Sequence, residues 1–138
     1  MKETITCLVI DDDPDDHVIF QMAIRQTCLQ VNCIFTYDCM DAFQSLKAVN
    51  VSIPDFLFID WNLSAMNGAE CLFNLRQLPL ANSQVIFYSG CMPYLQNPDE
   101  FKNKYFLKKP DTVEEFADEL KMILETTKNE TDFYLRQK

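Results

Sequence analysis

Short apolar runs alternate with amphipathic stretches from one end of the chain to the other, and this rhythm constrains the fold more than any other feature. ITCLVI (5–10), DFLFID (55–60) and SQVIFYS (83–89) are short, with apolar residues at consecutive positions. That is the pattern of strands covered on both faces. VNCIFTYD (31–38) instead places Val31, Cys33, Phe35 and Tyr37 at a period of two, and YFLKK (105–109) is a fifth short run. Between the runs lie helical spacings. PDDHVIFQMAIRQTC (14–28) sets Val18 with Met22 and Ile19 with Ala23, and residues 40–49 set Ala42, Phe43, Leu46 and Val49 on one side. GAECLFNLRQL (68–78) reads as a helix, and PDEFKNK (98–104) as a short one opened by Pro98. TVEEFADELKMILETT (112–127) carries the clearest stripe, Val113, Phe116, Leu120, Ile123 and Leu124. Strand then helix, five times, predicts a (βα)5 doubly wound parallel sheet with helices on both faces. A chain of 138 residues fits one such domain with a real core.

Sheets of this kind bind ligands at the carboxyl ends of their strands. Those ends carry Asp11, Asp12 and Asp13 after the first strand and Asp60 after the third. Ser89 and Gly90 follow the fourth, and Lys108, Lys109 and Pro110 close the fifth. Acids, a hydroxyl and a cation from distant segments converge on one edge. Crowded carboxylates must protonate or share a cation. A hard divalent ion such as Mg2+ suits one or two carboxylates, waters and a phosphate partner. A lysine beside it can hold a phosphoryl oxygen, a serine can donate to another, and a freed carboxylate can accept the phosphoryl group.

The net charge of −9 argues against nucleic acid as a partner, because phosphate contacts supply most of that affinity. The apolar run near the N-terminus is too short for a signal peptide or membrane span, so a cytoplasmic protein is expected. The six cysteines include no C-x-x-C pair and His17 is the single histidine, which argues against zinc. Each cysteine sits in or beside an apolar stretch, so all six are expected to act as reduced, small hydrophobes. Asp13 is expected to cap a helix whose first residue is Pro14, with Asp15 and Asp16 favouring its positive end and no role in the site. His17 is expected in that first turn or at the surface. Lys108 is expected to be a solvated neighbour of Lys109, and Trp61 either shields the site, reports on metal binding, or fills space.

Taken in order, these residues resemble a response-regulator receiver domain, close in pattern to the single-domain chemotaxis regulators, over roughly residues 4–127. The paired acids match Asp11 and Asp12, and DWNLSAMNG supplies Asp60, Met66 and Gly68 of a D-x-x-x-P-x-M-x-G pattern. Ser89-Gly90 matches a switch hydroxyl followed by a small residue, Lys109-Pro110 a lysine before proline, and Phe106 the aromatic three positions earlier. The resemblance implies a flavodoxin-like fold with strand order 2-1-3-4-5, residues 1–127 forming the receiver and 128–138 a tail or an extension of the last helix. It implies that Asp60 accepts a phosphoryl group from a histidine kinase or a histidine phosphotransfer protein. Asp12, Asp60 and the backbone carbonyl of Asn62 would hold Mg2+ (or Mn2+), with Asp11 acting through water. Lys109 would contact the phosphoryl group, Ser89 would move to bond it, and Phe106 would change rotamer. No enzymatic turnover is implied beyond self-phosphorylation from small donors and autodephosphorylation. Output would pass to a partner protein, from a monomer or weak dimer.

Three departures stand out. Ser64 occupies the usual proline position, which predicts a less rigid loop after Asp60. Phe106 lacks the hydroxyl often found there, so signalling through it is by packing alone. The 91–106 segment carries Pro93 and Pro98 and lacks the glycine usual before strand five, which shifts the expected fourth helix. Two other readings compete: a haloacid-dehalogenase-type phosphatase, for which no later acidic pair is found, and a pseudo-receiver serving only as an interaction scaffold. A calcium loop at Asp11, Asp13 and Asp15 fails, because Asp16 and Met22 stand where glycine and glutamate are required.

Overall fold

A computed structural model describes residues 4–48, 53–80, 82–91 and 104–125. Its elements alternate as the periodicities predict up to β4: β1 (Ile5–Ile10), α1 (Pro14–Thr27), β2 (Val31–Thr36), α2 (Cys39–Lys47), β3 (Phe56–Asp60), α3 (Gly68–Leu75) and β4 (Gln84–Ser89), followed by β5 (Tyr105–Lys108) and α4 (Val113–Glu125). The five strands form one sheet in the order β2-β1-β3-β4-β5, and every neighbouring pair is parallel. The chain winds one way from β1 to β2, then crosses back past β1 to β3. The helix expected over 98–104 lies, apart from Lys104, outside the described residues, as does the tail 128–138.

Pleating explains the unbroken apolar runs. Cys7, Val9, Phe56, Phe58, Ile86 and Tyr88 point to one face, where Phe20 of α1 and Phe116 of α4 cover them. Leu8, Ile10, Leu57, Ile59 and Phe87 point to the other, against Ala42 of α2 and Leu72 of α3. Phe20 stands edge-on to Phe58 and Phe116, with ring centroids 5.0 and 5.4 Å away. That favoured aromatic geometry sets the rotation of α1. It buries His17, Phe20, Ala23, Ile24 and Thr27 and leaves Val18, Ile19 and Met22 exposed. Of the expected helical pairs only Ala23 is inside, because the bulkier Phe20 selects the neighbouring stripe.

The helix starts follow local chemistry. Asp13 caps α1 by accepting the Asp15 N–H at 2.9 Å, with Pro14 in the first turn. Asp38 caps α2, and Asn67 forms a capping box with Glu70 at the start of α3. His17 does lie in the first turn of α1, but it is buried against Phe35 and Tyr37, with centroids 5.1 and 4.6 Å away. Neither of its ring nitrogens has a hydrogen-bond partner among the described residues.

The expectation of six reduced cysteines fails at one pair. Cys39 and Cys71 form a disulfide between α2 and α3, their Cα atoms 5.6 Å apart. They are 32 positions apart in sequence, and only the packing of the two helices brings them together. Cys7 and Cys33 are cross-strand neighbours that remain thiols. Their shared hydrogen bond, and then burial, hold the Cys7 thiol far above its usual range.

Candidate functional site

Because all strands run parallel, their carboxyl ends meet at one edge, and the polar residues following them converge there. Asp11, directly beyond β1, is fully buried. Its Oδ1 accepts the Asp13 N–H at 2.9 Å, and its Oδ2 accepts the Tyr88 hydroxyl at 2.6 Å and the Lys109 ammonium at 3.3 Å. Those donors make a buried carboxylate tolerable. Asp60, the last residue of β3, is also buried. Its Oδ1 accepts the Asn62 N–H at 2.9 Å, and its Oδ2 accepts Lys109 at 3.3 Å. Asp12 is half-buried beside them, and one oxygen from each of Asp11, Asp12 and Asp60 lies within 4.8 Å of the others.

Lys109 reaches into this cluster from the end of β5. Its shortest contact is with neither Asp11 nor Asp60: Asp16 Oδ2 lies 2.8 Å away. The ammonium also sits 4.7 Å above the centre of the Tyr88 ring. Burial pushes this amine down, but the Asp16 bond, followed by the charges of Asp11, Asp60 and Asp16, holds it above the usual lysine value. Burial, then the Asp11 charge and hydrogen bond, pushes the Tyr88 phenol well up, so it stays a donor. Three carboxylates, Asp11, Asp16 and Asp60, therefore contact one ammonium, with Asp12 clustered beside Asp11 and Asp60, and the excess negative charge on hard oxygen donors fits a divalent cation of the Mg2+ type.

On the other side of Asp60, Ser89 is buried at the end of β4. Its Oγ accepts the Asn62 side-chain amide at 3.0 Å and the Cys91 N–H at 3.3 Å. Asn62 thus bridges the acid and the hydroxyl, and its backbone turns to pair with Asn67. Behind Ser89, Phe106 packs against Phe87 and Trp61, with centroids 5.2 and 5.6 Å away. Trp61 stands edge-on to Phe87, as part of this aromatic group. Gly68 is where the loop closes. Its N–H donates to the Trp61 carbonyl at 2.9 Å, and a Cβ there would fall 2.9 Å from Phe87 Cδ1 and 3.2 Å from the Asp60 carbonyl.

The structure thus gathers Asp11, Asp12, Asp60 and Lys109, with Ser89 and Asn62 beside Asp60 and Phe106 behind them. It also corrects two expectations. Asp16 is more than a helix-start residue, since it holds the lysine. Ser64, expected only to loosen its loop, also makes a contact the sequence did not suggest: its N–H donates to Asp12 Oδ2 at 3.0 Å and its hydroxyl donates to the same oxygen. Tyr88 was not anticipated at all. Its one signal in the sequence is a hydroxyl within an otherwise apolar strand, directly before Ser89.

The family model of the response regulator receiver domain matches residues 7–121, nearly the whole sheet and its helices. The chain belongs to this family. Receiver domains serve as phosphoacceptors in two-component signalling, are typically non-enzymatic signalling modules, and bind Mg2+ or Mn2+ at an acidic pocket; Asp11, Asp12 and Asp60 form such a cluster in this chain. Solved structures share the fold. A CheY-like receiver domain from Methylobacillus flagellatus has a TM-score of 0.72 at 21% identity, covering 91% of this chain and 99% of that one. The phosphorylated cyanobacterial phytochrome response regulator RcpA has a TM-score of 0.68 at 22% identity, covering 88% and 92%. The Mn(2+)-bound form of response regulator Rcp1 has a TM-score of 0.65 at 20% identity, covering 88% and 93%. No curated protein matches the sequence. Among the described residues, no helix of this receiver domain is long and apolar enough to cross a membrane.

Proposed function

We propose that this receiver domain accepts a phosphoryl group on Asp60 from the phosphohistidine of a sensor histidine kinase or a histidine phosphotransfer protein. The observation that carries the reading is the setting of Asp60: a buried strand-end carboxylate, clustered with Asp11 and Asp12 and touched by Lys109. A carboxylate oxygen attacks phosphorus, the P–N bond breaks, and the imidazole leaves with the electron pair. Positioning and charge neutralisation supply most of the rate. Lys109, kept charged by its acidic neighbours, is within reach of an added phosphoryl oxygen. Ser89 now accepts two hydrogen bonds through Oγ and keeps its own proton, which it can donate once the Asn62 contact yields. Such a shift would disturb the Trp61–Phe87–Phe106 group, and Phe106 would repack in response, a population shift biased by the new charge.

Asp12, Asp60 and the Asn62 backbone carbonyl are the groups that would hold Mg2+ (or Mn2+), with Asp11 acting through water, a reading supported by the Mn(2+)-bound Rcp1 relative. When bound, the cation offsets the combined charge of the carboxylates and the phosphoryl oxygens. Val18, Ile19 and Met22, exposed on α1 next to Asp16, suit the docking of a protein partner over the site. Residues 1–127 act as the receiver, in the cytoplasm, as a monomer or weak dimer that passes its signal to a further protein.

Incubation with acetyl phosphate and Mg2+, read by intact mass, tests this. Wild type should gain one phosphate, and Asp60→Asn should gain none. Equal labelling of both, or none of the wild type, refutes the role of Asp60.

A further inference from the structure

The three carboxylates of the acidic pocket are not anchored alike. Asp11 Oδ1 is tied by the N–H of Asp13, and Asp60 Oδ1 by the N–H of Asn62. Each is a local bond, two residues along the same chain, that forms whenever its turn forms. Both also accept Lys109 through Oδ2, whereas Asp12 is tied by Ser64, 52 positions later, on the loop between β3 and α3. Both Ser64 donors, the backbone N–H and the hydroxyl, converge on Oδ2. A carboxylate held at one oxygen presents the other in a defined direction, and Oδ1 is then the atom available to a cation. A proline at this position would supply neither donor, and an alanine would supply one.

We infer that Ser64 is a positioning residue for the divalent cation: it holds Asp12 in its ligating orientation and so couples cation affinity to the loop that follows Asp60. Hydrogen-bonded partners of ligating carboxylates commonly set metal affinity in this way. The coupling runs in both directions, so a cation on Asp12 also steadies residues 61–67 through Ser64. Among the described residues the hydrogen bonds donated by Ser64 go to Asp12 and not to Asp60 or Lys109. The inference rests on the reading of Asp12 as a cation ligand.

The test is Mg2+ titration of the unphosphorylated full chain, followed by Trp61 emission and by calorimetry. Ser64→Ala should bind Mg2+ about tenfold more weakly, and Ser64→Pro more weakly still. Ser64→Thr, which keeps both donors, should restore affinity close to wild type. Thermal unfolding without Mg2+ verifies that each variant is folded before it is titrated. Ser64→Ala binding within about twofold of wild type, or more tightly, overturns the inference, since tighter binding would make Ser64 a competitor of the cation. A wild type that binds no Mg2+ refutes the cation-site reading itself. Binding by wild type that Ser64→Ala leaves unchanged refutes the role of Ser64 alone.

Discussion

Tyr88→Phe removes a single hydroxyl from the centre of the site. The ring remains, and with it the contacts to Phe20 and Phe58 at 6.3 and 6.4 Å and the seat of Lys109 above its face. What disappears is the 2.6 Å hydrogen bond to Asp11. Asp11 has no exposed surface, so water cannot replace the lost donor. Among the described residues it keeps the Asp13 N–H and the more distant Lys109. Hydrogen bonds to charged groups contribute about 1.5–3 kcal/mol. Phenylalanine also avoids the cost of burying a hydroxyl, which places the expected loss at the lower end, about 2 kcal/mol. Unfolding entropy for 138 residues is about 0.3 kcal/mol/K, so Tm should fall by about 7 °C. Urea and thermal denaturation followed by circular dichroism give both values. A double-mutant cycle with Asp11→Asn isolates the pair, and the cost of Tyr88→Phe should shrink by at least about 1 kcal/mol in that background. A cost below about 0.5 kcal/mol, or the same cost in both backgrounds, refutes the view that Tyr88 stabilises the buried acid.

Other expectations follow from the same geometry. Gly68→Ala should cost about 1–3 kcal/mol by denaturation, because its Cβ meets Phe87 and the Asp60 carbonyl and the wall behind it is a packed aromatic ring. His17→Leu should raise stability by about 1 kcal/mol in urea, since it replaces two buried, unpartnered nitrogens with an apolar side chain. Lys109 and Tyr88 are both held above their ordinary values of 10.5 and 10.0. Below those values both groups are protonated, folded or unfolded, and neither tilts the stability curve. Above them the unfolded chain releases its protons first, so stability should fall as pH rises beyond about 10. Urea midpoints across the alkaline range measure this fall, which should be shallower in Tyr88→Phe.

The elements are largely legible in the sequence because their signals are local. Consecutive apolar residues at 5–10, 55–60 and 83–89 fit strands covered on both faces, and Asp13-Pro14 is a helix start complete in itself. Val18, Ile19 and Met22 show where such reading stops. Helical spacing offers two stripes on α1, and only the aromatic contacts of Phe20 choose between them. Asp16 shows the same limit in the site. A carboxylate in a first turn has a sufficient local explanation, and nothing near it in sequence points to Lys109, 93 positions away.

Sequence by itself determined the alternating architecture and the residues delivered to its edge: Asp11, Asp12, Asp60, Ser89 and Lys109. Apolar periodicity is a property of neighbouring residues, and a parallel sheet brings every strand's carboxyl end to one side. Tertiary structure alone decided which partner each of those residues has. Tyr88 on Asp11, Asp16 on Lys109, Ser64 on Asp12 and Cys39 on Cys71 are matters of distance through space, across separations of 77, 93, 52 and 32 residues. Hydrogen bonds, ion pairs and disulfides form only within a few ångströms, and no local pattern encodes which distant atoms the packed sheet and helices bring that close.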